Sequence, residues 1–229
     1  MPASTVVFDW YATLAAPNPD DFWTRLPEIV AGAGGDPRPD VLAAWEQDHP
    51  SAHPEHSASE RAYRAWQRRR LDAVFESCRI AEPARSNLLD RIDDLRYNRL
   101  FAVFPDVRAA IEDLTRRGVR VGICSNWDWD LDRHLAHNEI SKLVEFVVCS
   151  AQVGYRKPHP SIFAVVLDHA GVPPAEIVFV GDDWHDDISG ARAAGFTPVH
   201  LQRSGACPVT DHRGVACTST LDQVLELCA

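Results

Sequence analysis

Four strand ends in this sequence carry residues that could do chemistry together. Val6-Val7-Phe8 leads into Asp9, with Tyr11 and Thr13 at the next alternate positions. Val121-Gly122-Ile123-Cys124 leads into Ser125-Asn126, and Lys157 lies in the turn-rich stretch Gly154-Tyr155-Arg156-Lys157-Pro158. Ile177-Val178-Phe179-Val180 runs into Gly181-Asp182-Asp183, with Asp186 and Asp187 just beyond. An acid on the carboxyl end of an apolar strand stands where open α/β sheets place their active groups. Taken together, Asp9 supplies a nucleophile, Ser125 a small hydroxyl donor, Lys157 a cation, and Asp182 with Asp187 a paired-acid site. Each alone has an ordinary use, since Asp9 or Asp182 could cap a helix and Lys157 could sit in a solvated turn. All four in this order point to an enzyme.

The elements that must position them follow from hydrophobic rhythm. From Pro105 onward short β-rich runs (119–124, 146–149, 177–180, 197–201) alternate with helical patterns (106–117, 130–137, 161–170, 189–194, 221–227). Such alternation predicts parallel β-α-β units with right-handed crossovers. The expected fold is α/β, a Rossmann-like doubly wound parallel sheet built from residues 1–14 and 104–229. Residues 15–103 are mostly helical in pattern and form a helical insertion after the first strand. Within it Tyr63, Trp66, Leu71, Val74 and Phe75 share one face, as do Leu88, Leu89, Ile92 and Leu95. The stretch Asp48–His56 has three histidines, but interleaved prolines and the lack of a nearby cysteine predict a solvated loop rather than a metal site.

Composition narrows the function. The 229 residues have a formal net charge of −10, which argues against general affinity for nucleic acid or an anionic membrane. No apolar run approaches the roughly 20 residues that span a bilayer, and the N-terminus lacks the basic start of a signal peptide. A cytoplasmic enzyme acting on a small molecule, as a monomer or homodimer, is expected. The six cysteines are scattered without a C-x-x-C motif, so reduced thiols are expected, with a Cys207–Cys217 pair left open.

These motifs resemble those of the haloacid dehalogenase-like (HAD) hydrolases. Phe8-Asp9-x-Tyr11-x-Thr13-Leu14 is similar to the family's first motif, Cys124-Ser125-Asn126 to its second, Arg156-Lys157-Pro158 to its third, and Gly181-Asp182-(x)4-Asp187-(x)2-Gly190-Ala191 to its fourth. The resemblance implies that the insertion is a cap that selects the substrate. It implies catalytic roles for Asp9, Tyr11, Ser125, Asn126 and Lys157. Asp9 would attack phosphorus or carbon to give a covalent intermediate that water hydrolyses, Ser125 would bond the transferred group, and Lys157 would balance charge and keep Asp9 ionised. It also implies Mg²⁺ held by Asp9, the backbone carbonyl of Tyr11, Asp182 and Asp187.

Tyr11 departs from the commonest pattern. Family phosphatases carry there a second Asp that protonates the leaving alkoxide, and a phenol of pKa near 10 is a much poorer acid at neutral pH. Tyrosine at this place resembles instead the 2-haloacid dehalogenases, whose leaving halide needs no proton. That subgroup works without metal and has Ser and Asn where this chain has Gly181-Asp182-Asp183, so the sequence is mixed. Asp128 and His185 are polar neighbours that could stand in for the missing acid, His185 having the more suitable pKa. Thr13, with Trp10 and Trp127 beside the motif residues, is expected to contact the substrate, though core packing accounts equally well for the two indoles.

The expected function is a HAD hydrolase with an aspartate nucleophile and phosphatase-like, Mg²⁺-dependent action on a substrate with a good leaving group. The alternative is a metal-independent 2-haloacid dehalogenase using the same Asp9. A non-catalytic ligand-binding protein of the same fold ranks third, because the nucleophile, hydroxyl, lysine and acid pair are all intact.

Overall fold

The computed structural model describes residues 3–16, 24–47, 49–98, 101–205 and 214–227. The chain divides into two compact units, one of residues 1–17, 51–54 and 101–229, the other of residues 18–50 and 55–100.

The first unit is a six-stranded parallel sheet in the order β3-β2-β1-β4-β5-β6. Its strands are β1 (Thr5–Phe8), β2 (Arg120–Ser125), β3 (Phe146–Cys149), β4 (Ile177–Gly181), β5 (Thr197–Leu201) and β6 (Ala216–Thr218). β1 and β4 are buried at every residue, as expected of parallel strands covered on both faces, and this is why they read as continuous apolar runs. β1 pairs with β2 on one side and β4 on the other, with Phe8 opposite both Ile123 and Val180. The strand order reverses across β1 and β4, so residues leaving their carboxyl ends face the crevice where such sheets bind ligands.

Helices complete the unit. α5 (Val107–Arg116) buries Val107, Ala110, Ile111 and Leu114, the i, i+3, i+4, i+7 stripe of an amphipathic helix. α6 (Leu131–His137), α7 (Ser150–Val153), α8 (Pro160–Ala170), α9 (Gly190–Ala193) and α10 (Leu221–Leu227) follow in sequence. The apolar layer beneath the sheet includes Val7, Phe146, Ile162, Phe163, Phe179 and Phe196. β6 was absent from the sequence expectation because three residues are too few to show a period. The helix expected over 189–194 is present as α9, and a π turn at Trp184–Ser189, which the sequence did not show, leads into it.

The second unit holds α1 (Leu26–Gly32), α2 (Pro39–Gln47), α3 (Glu60–Ser77) and α4 (Ala84–Asn98). Ser59 caps α3, its hydroxyl accepting from the Ala62 N–H at 3.2 Å. Leu26, Val30, Leu71, Phe75, Leu88 and Ile92 form its core, and Arg68 of α3 pairs with Asp90 and Asp93 of α4 at 2.7 and 2.8 Å. Leu95, expected on the buried face, is 45% exposed, because α4 buries Ile92 and then Arg96, four residues on rather than three.

Three expectations are corrected. The stretch 51–54 belongs to the first unit rather than to the insertion, and although Ser51, Ala52 and Pro54 are exposed as a solvated loop should be, His53 is not. Ala52 bridges Tyr155, the His53 N–H donates to the Gly154 carbonyl at 2.7 Å, the Arg156 N–H donates to the Ser51 carbonyl at 2.8 Å, and His53 is fully buried. Residues 15–17 and 101–103 likewise fall in the first unit rather than the insertion, with Ala15 bridging Val103 and the Ala16 N–H donating to the Ala102 carbonyl. Reduced thiols hold for Cys78, Cys124 and Cys149, whereas Cys217 is disulfide-bonded; Cys207 lies outside the described residues. No helix among the described residues is long and apolar enough to cross a membrane.

Candidate active site

Asp9 is the first residue after β1, and its N–H donates to the Val180 carbonyl at 2.9 Å, extending the ladder with β4 by one step. That bond fixes the backbone from which the carboxylate projects. Ser125 ends β2 and its hydroxyl donates to Asp9 Oδ1 at 2.9 Å. Lys157 Nζ donates to the same oxygen at 2.6 Å, to Asp187 Oδ1 at 2.5 Å and to the Cys124 carbonyl at 3.1 Å, using all three of its protons. Both bonds to Asp9 fall on Oδ1; among the described residues Oδ2 accepts none.

Asn126 holds the lysine in place. Its Nδ2 donates to the Lys157 carbonyl at 3.0 Å and to Asp186 Oδ2 at 2.8 Å, while its Oδ1 accepts from the Lys157 N–H at 2.7 Å. The side-chain amide thus reproduces a strand-like exchange with the backbone of a loop residue. Asn126 serves the site as a brace.

Asp182 and Asp187 leave the end of β4. Thr13 Oγ1 donates to Asp182 Oδ1 at 3.0 Å, and the Asp182 carbonyl contacts His200 Nε2 at 3.0 Å, so that ring nitrogen carries the proton. The Asp183 N–H donates to Asp187 Oδ2 at 3.1 Å. Gly181 makes this turn possible, because a Cβ there would lie within the van der Waals radius of the Asp187 carboxylate. Oxygens of Asp9, Asp182 and Asp187 lie within 4.8 Å of one another.

Three carboxylates and one ammonium leave two negative charges when all are ionised, and the acids respond to that crowding. Burial pushes the Asp182 carboxyl up to about 6, with the Asp9 charge adding to it and the Thr13 hydroxyl opposing it. Burial also raises Asp187, against the pull of Lys157 and with the push of Asp9. For Lys157 burial works downward, but Asp187 and Asp9 outweigh it and hold the ammonium charged. Cys124 is pushed up to about 12 by burial, which keeps it a protonated thiol and no nucleophile.

The remaining expected residues separate. Tyr11 is 38% exposed, its ring edge-on to Phe101 at 5.7 Å and tilted against Trp127 at 6.0 Å. Trp127 is buried against Phe101 and His134. Trp10 is 0% exposed and packs near the His134 ring at 6.3 Å, so it offers no surface to a ligand in this arrangement. Asp128 is buried and His185 exposed. His200 and Arg203 were absent from the sequence expectation; the only signal for His200 was a polar residue inside an otherwise apolar strand.

Comparison with known proteins agrees with this geometry. The chain is 31% identical over 145 residues to a haloacid dehalogenase-like hydrolase domain-containing protein 3 from Xenopus laevis, covering 58% of this chain and 59% of that one. It is 33% identical over 109 residues to a phosphoserine phosphatase from Thermus thermophilus, covering 47% and 44%. The matches thus span about half to three fifths of these relatives. A 2-haloacid dehalogenase structure from Pseudomonas syringae shares the fold with a TM-score of 0.63 at 23% identity, over 98% of this chain and 97% of that one. The model of the haloacid dehalogenase-like hydrolases matches residues 3–195, and the chain belongs to that family.

Proposed function

We propose that this hydrolase is a Mg²⁺-dependent phosphatase that forms a covalent intermediate on Asp9 and acts on a small phosphate ester with a good leaving group. The observation that carries it is the convergence of Asp9, Asp182 and Asp187 around one point with two uncompensated negative charges. A hard divalent cation with carboxylate ligands fits that donor set. Asp9, Asp182 and Asp187, with the Tyr11 backbone carbonyl, would hold the ion, which when bound would neutralise charge on the phosphoryl oxygens.

The chain's own groups then do the rest. Asp9 Oδ2 attacks phosphorus and the bond to the leaving oxygen breaks, giving an aspartyl phosphate and the free alkoxide or phenoxide. Ser125 and Lys157, already on Asp9 Oδ1, hold the carboxylate in one orientation, and the lysine offsets charge as the transferred group arrives. Water then cleaves the acyl phosphate and restores Asp9. Because position 11 is a phenol, substrates whose leaving group is stable without a proton are favoured. In this proposal the helical unit of residues 18–50 and 55–100 takes the part of the substrate-selecting cap.

Tyr11 supports a second reading, a 2-haloacid dehalogenase in which halide leaves unprotonated from carbon. Assays on an aryl phosphate and on 2-chloropropionate, each with Mg²⁺ and with EDTA, separate the two. Phosphate release that requires Mg²⁺ and vanishes in Asp9→Asn supports the first proposal. Release that survives EDTA sinks it, and chloride release favours the second.

A further inference from the structure

We infer that Arg203 is a positioning residue that sets the geometry of the active-site acids through Thr13. Its guanidinium makes contacts on three sides. Nε and Nη2 both donate to the Thr13 carbonyl, at 3.1 and 2.8 Å, so one edge of the fork grips a single backbone oxygen. Nη1 bonds Asp106 at 2.9 Å to Oδ1 and 2.7 Å to Oδ2. The flat face lies 4.1 Å over the Phe104 ring. Asp106 is itself anchored, its Oδ2 accepting from the Leu221 N–H at the start of α10 at 3.1 Å. Planar, delocalised and always charged, an arginine can make these contacts at once where a lysine cannot.

The bonds on Thr13 explain why this matters for chemistry. The segment Trp10–Ala15 is a tight turn in which the Leu14 and Ala15 N–H groups both donate to the Trp10 carbonyl. Ala12 within it sits at φ 60°, a left-handed conformation that crowds the Cβ of any residue but glycine. A turn of this kind needs outside restraint. Arg203 supplies it at the Thr13 carbonyl, while the Thr13 hydroxyl on the other side of the same residue donates to Asp182. Force applied at one end of Thr13 is therefore read at Asp182, and Asp9 immediately precedes the same turn. Arg203 and Asp182 also line one cavity of about 530 Å³ with Ala12 and Phe104. None of these residues lies in the helical unit.

This inference rests on the active site proposed above but not on which substrate it takes. Its test is a double-mutant cycle of Arg203→Ala with Thr13→Val, read as kcat on whichever of the two substrates the wild type turns over. In the wild-type background Arg203→Ala should lower kcat about tenfold or more with KM little changed, as small misplacements of reacting groups do. In the Thr13→Val background it should lower kcat by less than about twofold, because the hydroxyl bond that passes the restraint from Thr13 to Asp182 is already gone. Arg203→Lys goes through the same cycle should Arg203→Ala fail to fold. Equal effects in both backgrounds, or a folded Arg203 variant with wild-type kcat, overturn the inference. A Mg²⁺-induced rise in Tm should shrink in each single variant. Absence of that rise in the wild type counts against the phosphatase proposal alone, since the cycle can still be read on chloride release; a wild type silent on both substrates overturns both.

Discussion

Lys157 Nζ donates to Asp9 Oδ1 across 148 residues of sequence at 2.6 Å, and the same ammonium holds Asp187. One buried cation thus bridges two buried carboxylates at the end of the sheet. Replacing it by Met leaves both charges without a partner. Lys157→Met should destabilise the fold by about 3–5 kcal/mol and reduce turnover below detection. The loss of Tm should be smaller at about pH 5 than at about pH 8, because protonation of the stranded acids relieves the repulsion. Thermal melts across that range check it, and a pH-independent loss would contradict it.

Acid crowding gives the wild type a pH dependence of definite sign. Asp182 titrates at about 6 in the folded chain against an ordinary 3.8. Between those values the folded state binds more protons than the unfolded one, so stability falls as pH rises. The contribution is fully present below about pH 4 and is lost as pH rises through about 6, and the upward push on Asp187 continues the trend to higher pH. At the proposed site Mg²⁺ would compete with protons for the same oxygens. Saturating Mg²⁺ should therefore raise Tm more at about pH 8 than at about pH 5, which scanning calorimetry with and without EDTA measures.

Gly181→Ala tests the packing of Asp187. The new methyl group would meet the Asp187 carboxylate, at the end of a strand with no room to shift. A cost of about 1–3 kcal/mol is expected, with kcat falling together with stability. Gly118→Ala is the contrasting control. A Cβ there meets nothing, but φ is +78°, so only the backbone conformation is penalised and activity at a temperature well below Tm should persist.

Tyr11→Asp asks whether the missing proton donor limits the substrate range. A carboxylic acid at position 11 should raise turnover of alkyl phosphates by about 10²-fold while changing that of an aryl phosphate little. Comparing p-nitrophenyl phosphate with a simple alkyl ester in the two proteins reads the ratio directly. An unchanged ratio would mean that position 11 does not face the leaving oxygen.

Much of the site was legible because three of its key residues stand at the ends of apolar strands. Asp9 and Asp182 follow β1 and β4 and Ser125 ends β2, and an apolar run that stops on a polar residue is visible without any knowledge of its neighbours. What could not be read are roles made by contacts distant in sequence. Arg203 looks like any arginine after a strand until Thr13, 190 residues away, is brought beside it. His53 looks like part of a wet, proline-rich loop until Ala52 pairs with Tyr155. Leu95 fits a helical stripe as well as Arg96 does, and only the packing of α4 on α3 chooses between them.

The central place of β1 has a consequence for how the chain is made. β1 emerges first, yet one of its two flanking strands, β4, begins only at Ile177. At usual rates of synthesis that delay is on the order of ten seconds, during which a mostly apolar strand has an open edge. The nascent protein should therefore depend on chaperones more than its final stability suggests, and a pause between the codons for β2 and β4 should raise aggregation rather than relieve it.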